Sequence, residues 1–269
     1  MDFLKRSLAP LADEAWEEID EQARRILQGN LSARRLDDFS GPHGLSFSAV
    51  NLGRVKTNRS QPIKGVKWGM REVLPLAEIR VPFSLDIWDL DDVARGGKTP
   101  DLSALEEAAR QAAMFEECAV YSGLDTACIQ GILAATGLKP TTLPKEAEDL
   151  PEVIENAVVS IQQAGIGGPY ALVLGTEPYK MMMAGDRRGY PLRKRIIDIL
   201  GTEPQWTPAL EGGAVFSKRG GDYELTVGQD LAIGYHSHDK AKVHLYITES
   251  LTFRVLEENA AVALEKSSK

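Results

Sequence analysis

Residues 101–121 constrain the fold most strongly, because their pattern predicts one long two-sided helix in the middle of the chain. The apolar residues recur at alternating spacings of three and four, which is typical of one helical face: Leu105, Ala108, Ala112, Phe115 and Ala119. The other side carries Glu106, Glu107, Arg110, Gln111 and Glu117. Ser103 and Glu106 predict a capping box at the start, and Gly123 predicts the end. Such a helix is expected to be a scaffold for the elements around it.

The composition limits the classes of protein to consider. The 269 residues, 43% of them hydrophobic, can bury a sizeable core in one large domain or two modest ones. Cys118 and Cys128 match neither a metal pair nor a redox motif, and the N-terminus lacks the apolar run of a signal peptide, so we expect a reduced, cytoplasmic protein. The absence of a long apolar run and a formal net charge of -8 indicate no membrane and no nucleic acid as partners.

The local patterns predict both helices and strands. A helix is expected from Asp13 onward, capped by that residue, and an extended segment at 34–39. Residues 52–74 predict a polar hairpin that buries little of itself, and its Trp68 and Met70 favour a neighbouring subunit as their cover. Residues 78–88 alternate strictly, with Pro82 marking an edge or a bulge.

The second half of the chain predicts an inserted α/β block followed by a hairpin. Within 129–218, helices are expected at 150–164 and 192–200, and a buried strand at 170–174. The hairpin is expected at 223–235 and 243–256, with a turn at 236–239.

No motif in the chain predicts catalysis or a metal centre. GxSxG, HExxH and Walker sequences are absent, so no catalytic residue is assigned and we do not expect an enzyme. His236 and His238, with Asp239 and His244 nearby, place two imidazoles on one strand face, but no third ligand is evident. A polar turn is therefore favoured over a metal site.

Six stretches, in matching order from residue 1 to 255, resemble the encapsulins, the shell proteins of bacterial and archaeal nanocompartments, and most closely the linocin-like branch. These are FLKRSLAPLADEAWEEID, AVNLGRV, LPLAEIRVPFSLDIWDLDDVARG, IGGPYALVLG, RGGDYELTVGQDLAIGYHSHD and LYITESLTF. The resemblance implies an α+β architecture, the tailed-phage major capsid protein fold with a peripheral domain, an axial domain and an extended loop. The implied division is 1–51 (N-terminal arm and helix), 52–74 (extended loop), 75–128 (peripheral domain with the long helix), 129–218 (axial domain) and 219–269 (C-terminal hairpin of the peripheral domain).

The resemblance also implies a function. The chain would self-assemble into a hollow icosahedral shell, and the smallest icosahedron (T=1) uses about sixty copies. The shell would enclose a cargo enzyme, a ferritin-like iron-storage protein or a dye-decolourising peroxidase, captured through the cargo's C-terminal targeting peptide. A phage or prophage capsid protein is one alternative, against which the acidic balance argues. A flavin-dependent enzyme is the other, and the missing acid–base constellation argues against it.

Three sets of site residues follow from the resemblance. Leu27, Leu31, Arg34, Asp38, Leu231 and Ile233 match positions of a lumenal groove for the cargo peptide, with plain core packing as the alternative. Asp186, Arg187 and Arg188 would lie in a pore loop at the five-fold vertex, unless this is an ordinary polar turn. No cofactor is required, but Trp88 matches the position of a tryptophan that stacks on a flavin (FMN or riboflavin) in some encapsulins, unless it is a simple strand-end aromatic. Arg80 shares the strand parity of Trp88, so the two side chains are expected to project together.

Overall fold

The computed structural model describes residues 3–35, 38–60, 62–187 and 190–266 of the chain. Its helices are α1 (Asp13–Asn30), α2 (Ile87–Ala94), α3 (Ser103–Tyr121), α4 (Ile132–Ala135), α5 (Leu150–Gln163), α6 (Thr176–Ala184) and α7 (Leu192–Leu200). The strands of the first half are β1 (Asp38–Ser40), β2 (Ala49–Asn58), β3 (Trp68–Pro75), β4 (Ala77–Asp86), β5 (Gly123–Leu124), β6 (Ile129–Gln130) and β7 (Thr141–Thr142). The later strands are β8 (Tyr170–Leu174), β9 (Asp186–Arg187), β10 (Tyr190–Pro191), β11 (Gln205–Trp206), β12 (Gly213–Ser217), β13 (Tyr223–Val227), β14 (Ala232–His238), β15 (Lys242–Val255) and β16 (Ala261–Glu265).

The first large sheet is built around β15, the 14-residue strand near the C-terminus. Its order is β1-β13-β15-β14, and β4 also pairs with β15, antiparallel from Lys242 to Leu251. Ile79, Phe83 and Leu85 of β4 are buried, as the alternation predicts. Pro82 lies on this outer strand opposite Tyr246, where an edge position tolerates a residue without an N–H. The predicted edge is confirmed.

The second large sheet has the order β11-β8-β12-β16-β7. Strand β8 is buried along its whole length, as its apolar run predicts, and α5 begins at Leu150 and packs against the sheet. Strand β16 pairs with β12 and β7, so the last strand differs from the predicted grouping of 219–269 with the C-terminal hairpin. Its apolar side chains Val262 and Leu264 are buried in the core of this sheet, which is the physical reason for the pairing. The rest of the domain division stays a prediction.

Helix α3 connects the two cores. Leu105, Ala108 and Ala112 pack with α1, β4 and β15, whereas Val120 and Tyr121 at its end belong to the core of the second sheet. The predicted capping box is wrong, because the Asp101 carboxylate accepts the Ser103 N–H instead, and Glu106 bonds Gln22 and Arg110. The helix ends just before Gly123, whose φ is 92°. A Cβ there would lie 2.6 Å from the Gly131 nitrogen, so glycine is required at this crossing.

Four local predictions differ from the structure. The expected strand through Trp88 ends at Asp86, whose carboxylate caps α2 by accepting the Trp88 N–H. The segment expected to be extended from residue 34 begins as a 3-10 turn (Ala33–Arg35) before β1. The predicted arm 223–235 is two strands, β13 and β14, and β14 continues through His238, so the turn starts at Asp239. Helix α1 starts at Asp13, but Ala12 is in the capping position, so the predicted cap at Asp13 is wrong.

Candidate functional site

A groove of about 540 Å³ is lined by α1 on one wall and by residues 230–233, which lead into β14, on the other. Ala23, Leu27 and Leu31 follow one another at a spacing of four, so one side of α1 and its end contribute apolar side chains to it. Leu231, Ile233 and Ile247 contribute from the sheet. The rim is charged, with Arg6, Asp20, Arg24, Arg35 and Asp230 among its residues. We call this feature the groove.

The structure brings five of the six predicted groove residues together and places the sixth elsewhere. The five predicted residues that line the groove are Leu27, Leu31, Arg34, Leu231 and Ile233. Asp38 does not, because it lies on β1 beside Glu224 of β13, and its carboxylate accepts the N–H of Gly221. The prediction for Asp38 is therefore wrong, since this side chain closes a turn at the sheet edge.

Arg34 lines the groove, but its guanidinium is bonded to three carboxylates. It donates from Nε and Nη2 to Glu116 at 2.7 to 3.0 Å, from Nη2 to Glu249 at 2.6 Å and from Nη1 to Asp230 at 2.9 Å. The Glu116 and Glu249 side chains are fully buried. We call Glu116, Glu249 and Asp230 the carboxylate cluster. Because it occupies the guanidinium, Arg34 is not a free charge for a ligand.

The electrostatics of this centre follow from burial. Burial by itself lowers the pKa of the Arg34 guanidinium, but the hydrogen bonds and the negative charge of Glu116, with Glu249 and Asp230, raise it overall. Burial, with the adjacent charge of Glu116, raises the pKa of Glu249 well above that of an ordinary carboxyl. One oxygen of Glu249, Oε2, is buried without a hydrogen-bond partner in the described part of the chain.

A second buried carboxyl, Glu117, fixes the 3-10 turn that carries Arg34. Its Oε1 accepts the backbone N–H groups of Ser32 and Ala33, both at 2.8 Å. Its Oε2 accepts the hydroxyls of Ser32 at 2.5 Å and Thr207 at 2.7 Å. Burial raises the pKa of Glu117, and these hydrogen bonds oppose the rise. Assigning Glu117 to the polar side of α3 is therefore wrong, because the turn and Thr207 cover that side.

The sequence gives no local signal for these buried acids. Glu116 and Glu117 lie in the same helix as Glu106 and Glu107, neither of which is buried, and Glu249 lies in a largely apolar strand. Their partners are 82 to 215 residues away along the chain. Their burial follows from tertiary packing alone.

The predicted flavin pair does not share a strand face. Trp88 lies on α2, with 70% of its surface exposed and the Arg95 guanidinium 6.0 Å from its ring. Arg80 remains on β4 and stacks over Phe3 at 5.2 Å and Tyr246 at 4.8 Å. Because the strand ends before Trp88, the prediction that Arg80 and Trp88 project from the same strand face is wrong.

The predicted pore residues are described only in part. Asp186 and Arg187 form β9, which pairs antiparallel with β10, whereas Arg188 lies outside the described residues. Their role in a pore stays a prediction.

The histidines have separate local partners. His238 Nδ1 lies 2.6 Å from the Tyr235 hydroxyl, and His244 bonds Ser84 and Asp239. Over the described ranges, no group of three or more potential ligands is placed to hold a metal ion. A membrane-spanning helix is likewise not found in the part of the chain that the structure covers.

Comparison with solved structures shows which fold the chain has. The fold is similar to that of a virus-like particle from Pyrococcus furiosus, with a TM-score of 0.67, 18% identity and coverage of 93% of this chain and 98% of that one. It is also similar to the capsid of Myoviridae phage XM1, with a TM-score of 0.57, 11% identity and coverage of 87% and 91%. The predicted capsid-protein fold is confirmed.

Comparison of sequences narrows the class to a family. The family described as "Encapsulating protein for peroxidase" matches residues 1–252. A type 1 encapsulin shell protein of Rhodococcus erythropolis is 40% identical, over 98% of this chain and 100% of its own length. The chain therefore belongs to the encapsulin shell-protein family, as the six stretches predict.

Proposed function

We propose that this chain assembles with about sixty copies of itself into a closed, hollow shell, and that the groove holds a peptide of a cargo enzyme inside that shell. The chain is the container and carries out no catalysis of its own, and it needs no resident cofactor. Family membership supports the shell, and the family's description supports a peroxidase as one class of cargo. A ferritin-like cargo is the second class.

The observation that carries the assembly proposal is the hairpin of β2 and β3. The two strands pair with one another in a sheet of their own. Val55, Met70 and Val73 are more than half exposed, and Met70 is 68% exposed. An extended ribbon with apolar side chains open to water is unfavourable in an isolated chain, whereas a neighbouring copy would bury it.

Charged substitutions in this hairpin test assembly. We expect Val55→Asp and Met70→Asp to abolish large particles in analytical ultracentrifugation, because each places a charge in the proposed subunit contact. The matched controls Val55→Ile and Met70→Leu keep the apolar contact and should assemble. Both residues are exposed in the single chain, so far-UV circular dichroism should be retained in every variant. Normal particles from both aspartate variants would contradict a role of the hairpin in assembly.

The apolar lining supports the groove as the cargo-binding site. Leu27, Leu231 and Ile233 face a cavity that no other part of the described chain fills, and a short extended peptide with apolar side chains fits such a surface. Because the guanidinium of Arg34 is already bonded to three carboxylates, the charged rim residues, among them Arg24 and Asp20, would make the polar contacts that select the peptide. Leu27 and Leu231 are only partly buried, so they can be changed with little effect on the core.

Cargo capture can be measured with a defined probe. A fluorescent protein with a C-terminal extension rich in Gly, Leu and Ile would be co-expressed with the shell protein. Leu27→Ala removes about 2 kcal/mol of apolar contact, which corresponds to about 30-fold weaker binding. The control Leu8→Ala changes an exposed leucine outside the groove lining and should load normally. Equal loading of the two variants would contradict the proposed site.

The loop that contains Asp186, Arg187 and Arg188 would then line a pore through which small ions reach the cargo. The observation that supports this proposal is the small β9–β10 hairpin, which closes a polar loop between α6 and α7. The two arginines would disfavour passage of cations.

A further inference from the structure

Two members of the carboxylate cluster, Glu116 and Glu249, lie directly behind one wall of the groove. Arg34 and Asp230 line the groove, whereas Glu116 of α3 and Glu249 of β15 reach the same guanidinium from the core. Glu116 Oε2 and Glu249 Oε1 both accept from Arg34 Nη2, at 2.7 and 2.6 Å. The two fully buried carboxyls are therefore immediate neighbours on one nitrogen.

The charges at this centre do not balance if every group is ionised. Three carboxyls contact one guanidinium, and Glu117 adds a fourth carboxyl on the neighbouring side of α3. The side chains that surround Glu117 in the described part of the chain are uncharged: Ser32 and Thr207 bond Glu117, and the Tyr121 hydroxyl bonds Ser32. Arg35 on the same turn bonds Gln205 and Gln28 instead. An unbalanced buried charge is expensive, so a proton on one of the carboxyls is the simplest means of reducing it.

The free oxygen of Glu249 indicates where such a proton lies. Oε2 is buried and has no hydrogen-bond partner in the described part of the chain, although Oε1 of the same group is bound. A buried carboxylate oxygen without a donor is unfavourable, whereas a protonated oxygen could donate to the adjacent Glu116. The same arrangement is known for neighbouring carboxyls in general, since two like charges at contact distance cannot both be ionised cheaply.

We propose that Glu116 and Glu249 share one proton at neutral pH, and that this proton holds Arg34 and the groove wall in place. Loss of the proton in alkaline solution adds a buried negative charge beside Arg34 and loosens the turn 33–35. The groove would then bind its peptide less tightly at alkaline pH, a consequence that rests on the proposed cargo site. The shared proton itself does not depend on that proposal.

Infrared difference spectroscopy of the intact protein in heavy water tests the proton directly. The native chain should show a protonated-carboxyl band at pH 7 that is lost on alkaline titration. Glu249→Gln should lack that band, because the amide keeps the contact to Arg34 but cannot titrate. Glu224→Gln is the matched control, since Glu224 lies in the same sheet and pairs with Arg254, with no second carboxyl on that guanidinium in the described chain. That control should keep the band.

Hydrogen exchange of peptides covering residues 32–35 tests the effect on the groove wall. After correction for intrinsic rates, we expect opening of this turn to increase about tenfold per pH unit once the proton is lost. The increase should be absent in Glu249→Gln and present in Glu224→Gln. If Glu249→Gln does not fold, Glu116→Gln removes the same shared proton and serves in its place.

Two outcomes would overturn the inference: no titrating carboxyl band at pH 7, or identical exchange profiles for the native chain and Glu249→Gln. Neither measurement uses a cargo. Failure here therefore leaves the cargo site untouched, and failure of cargo loading in the groove variants leaves the shared proton untouched.

Discussion

Replacing Arg34 by methionine should be one of the most destabilising changes in the chain. Methionine keeps a long flexible stem in the groove wall but removes the only cation that contacts Glu116 and Glu249 in the described structure. Both carboxyls are fully buried. Removing one partner of such a group leaves an uncompensated buried charge, which costs about 3–5 kcal/mol. For a chain of this size the melting temperature should fall on the order of 10 °C.

The same reasoning predicts a rescue. In the triple variant Arg34→Met, Glu116→Gln, Glu249→Gln, the only carboxyl that remains of the three bonded to Arg34 in the described chain is the half-exposed Asp230. Because neutral replacements for a buried ion network are often close to isoenergetic with it, most of the loss should be recovered, to within about 1 kcal/mol. The difference in stability between the single and the triple variant gives the cost of the unpaired charges. The loss that remains in the triple variant is that of the arginine stem.

Thermal unfolding followed by tryptophan fluorescence, at one fixed protein concentration, measures both effects. Arg110→Met is the control, because this arginine pairs with Glu106 on the exposed side of α3 and should lose no more than about 1 kcal/mol. The reasoning would be refuted if Arg34→Met lost as little as Arg110→Met, or if the triple variant were no more stable than the single one.

Three further predictions follow from other features. Burial raises the pKa of Glu249 in the folded chain, so the contribution of this group to the free energy of unfolding is complete at acidic pH and is lost as the pH rises through the raised pKa. Glu249→Gln should therefore raise the melting temperature at pH 9 more than at pH 5. An equal change at both pH values would contradict this prediction. Gly123→Ala should cost about 2 kcal/mol more than Gly44→Ala, because both glycines have positive φ but only the first has backbone against its Cβ position, and equal denaturation midpoints would count against this packing argument. Shells of the Arg187→Ala, Arg188→Ala variant should admit ferrous iron to an enclosed chelator faster than native shells, as stopped-flow absorbance would measure, and an unchanged rate would argue against a pore at this loop.

The elements that the sequence predicts well are those whose periodicity is local. The apolar spacing from Leu105 to Ala119 places the buried side of α3 correctly, and the alternation from Ile79 to Leu85 does the same for β4. The uninterrupted apolar run of β8 predicts a strand buried on both faces, which the structure has. In each case the side chains that determine the element lie close to one another along the chain.

What the sequence does not predict depends on partners that are distant along the chain. The burial of Glu117 requires the turn 32–35 and Thr207, and the pairing of β16 requires β12, which precedes it by about fifty residues. The prediction that the strand continues through Trp88 is wrong for a different reason. Asp86 caps α2, so a helix begins here although the strand pattern of the sequence continues past this residue. The family resemblance predicts five residues that line the groove. No sequence pattern predicts that Glu116 and Glu249, the buried acids that bond Arg34, are buried.

Electron microscopy of the purified chain shows whether it assembles into a closed shell. Negative-stain images of the native protein and of Val55→Asp, at equal concentration, would be compared. We expect uniform, closed, hollow particles for the native chain and none for the hairpin variant. A native chain that stays a monomer or small oligomer across salt and pH would contradict it.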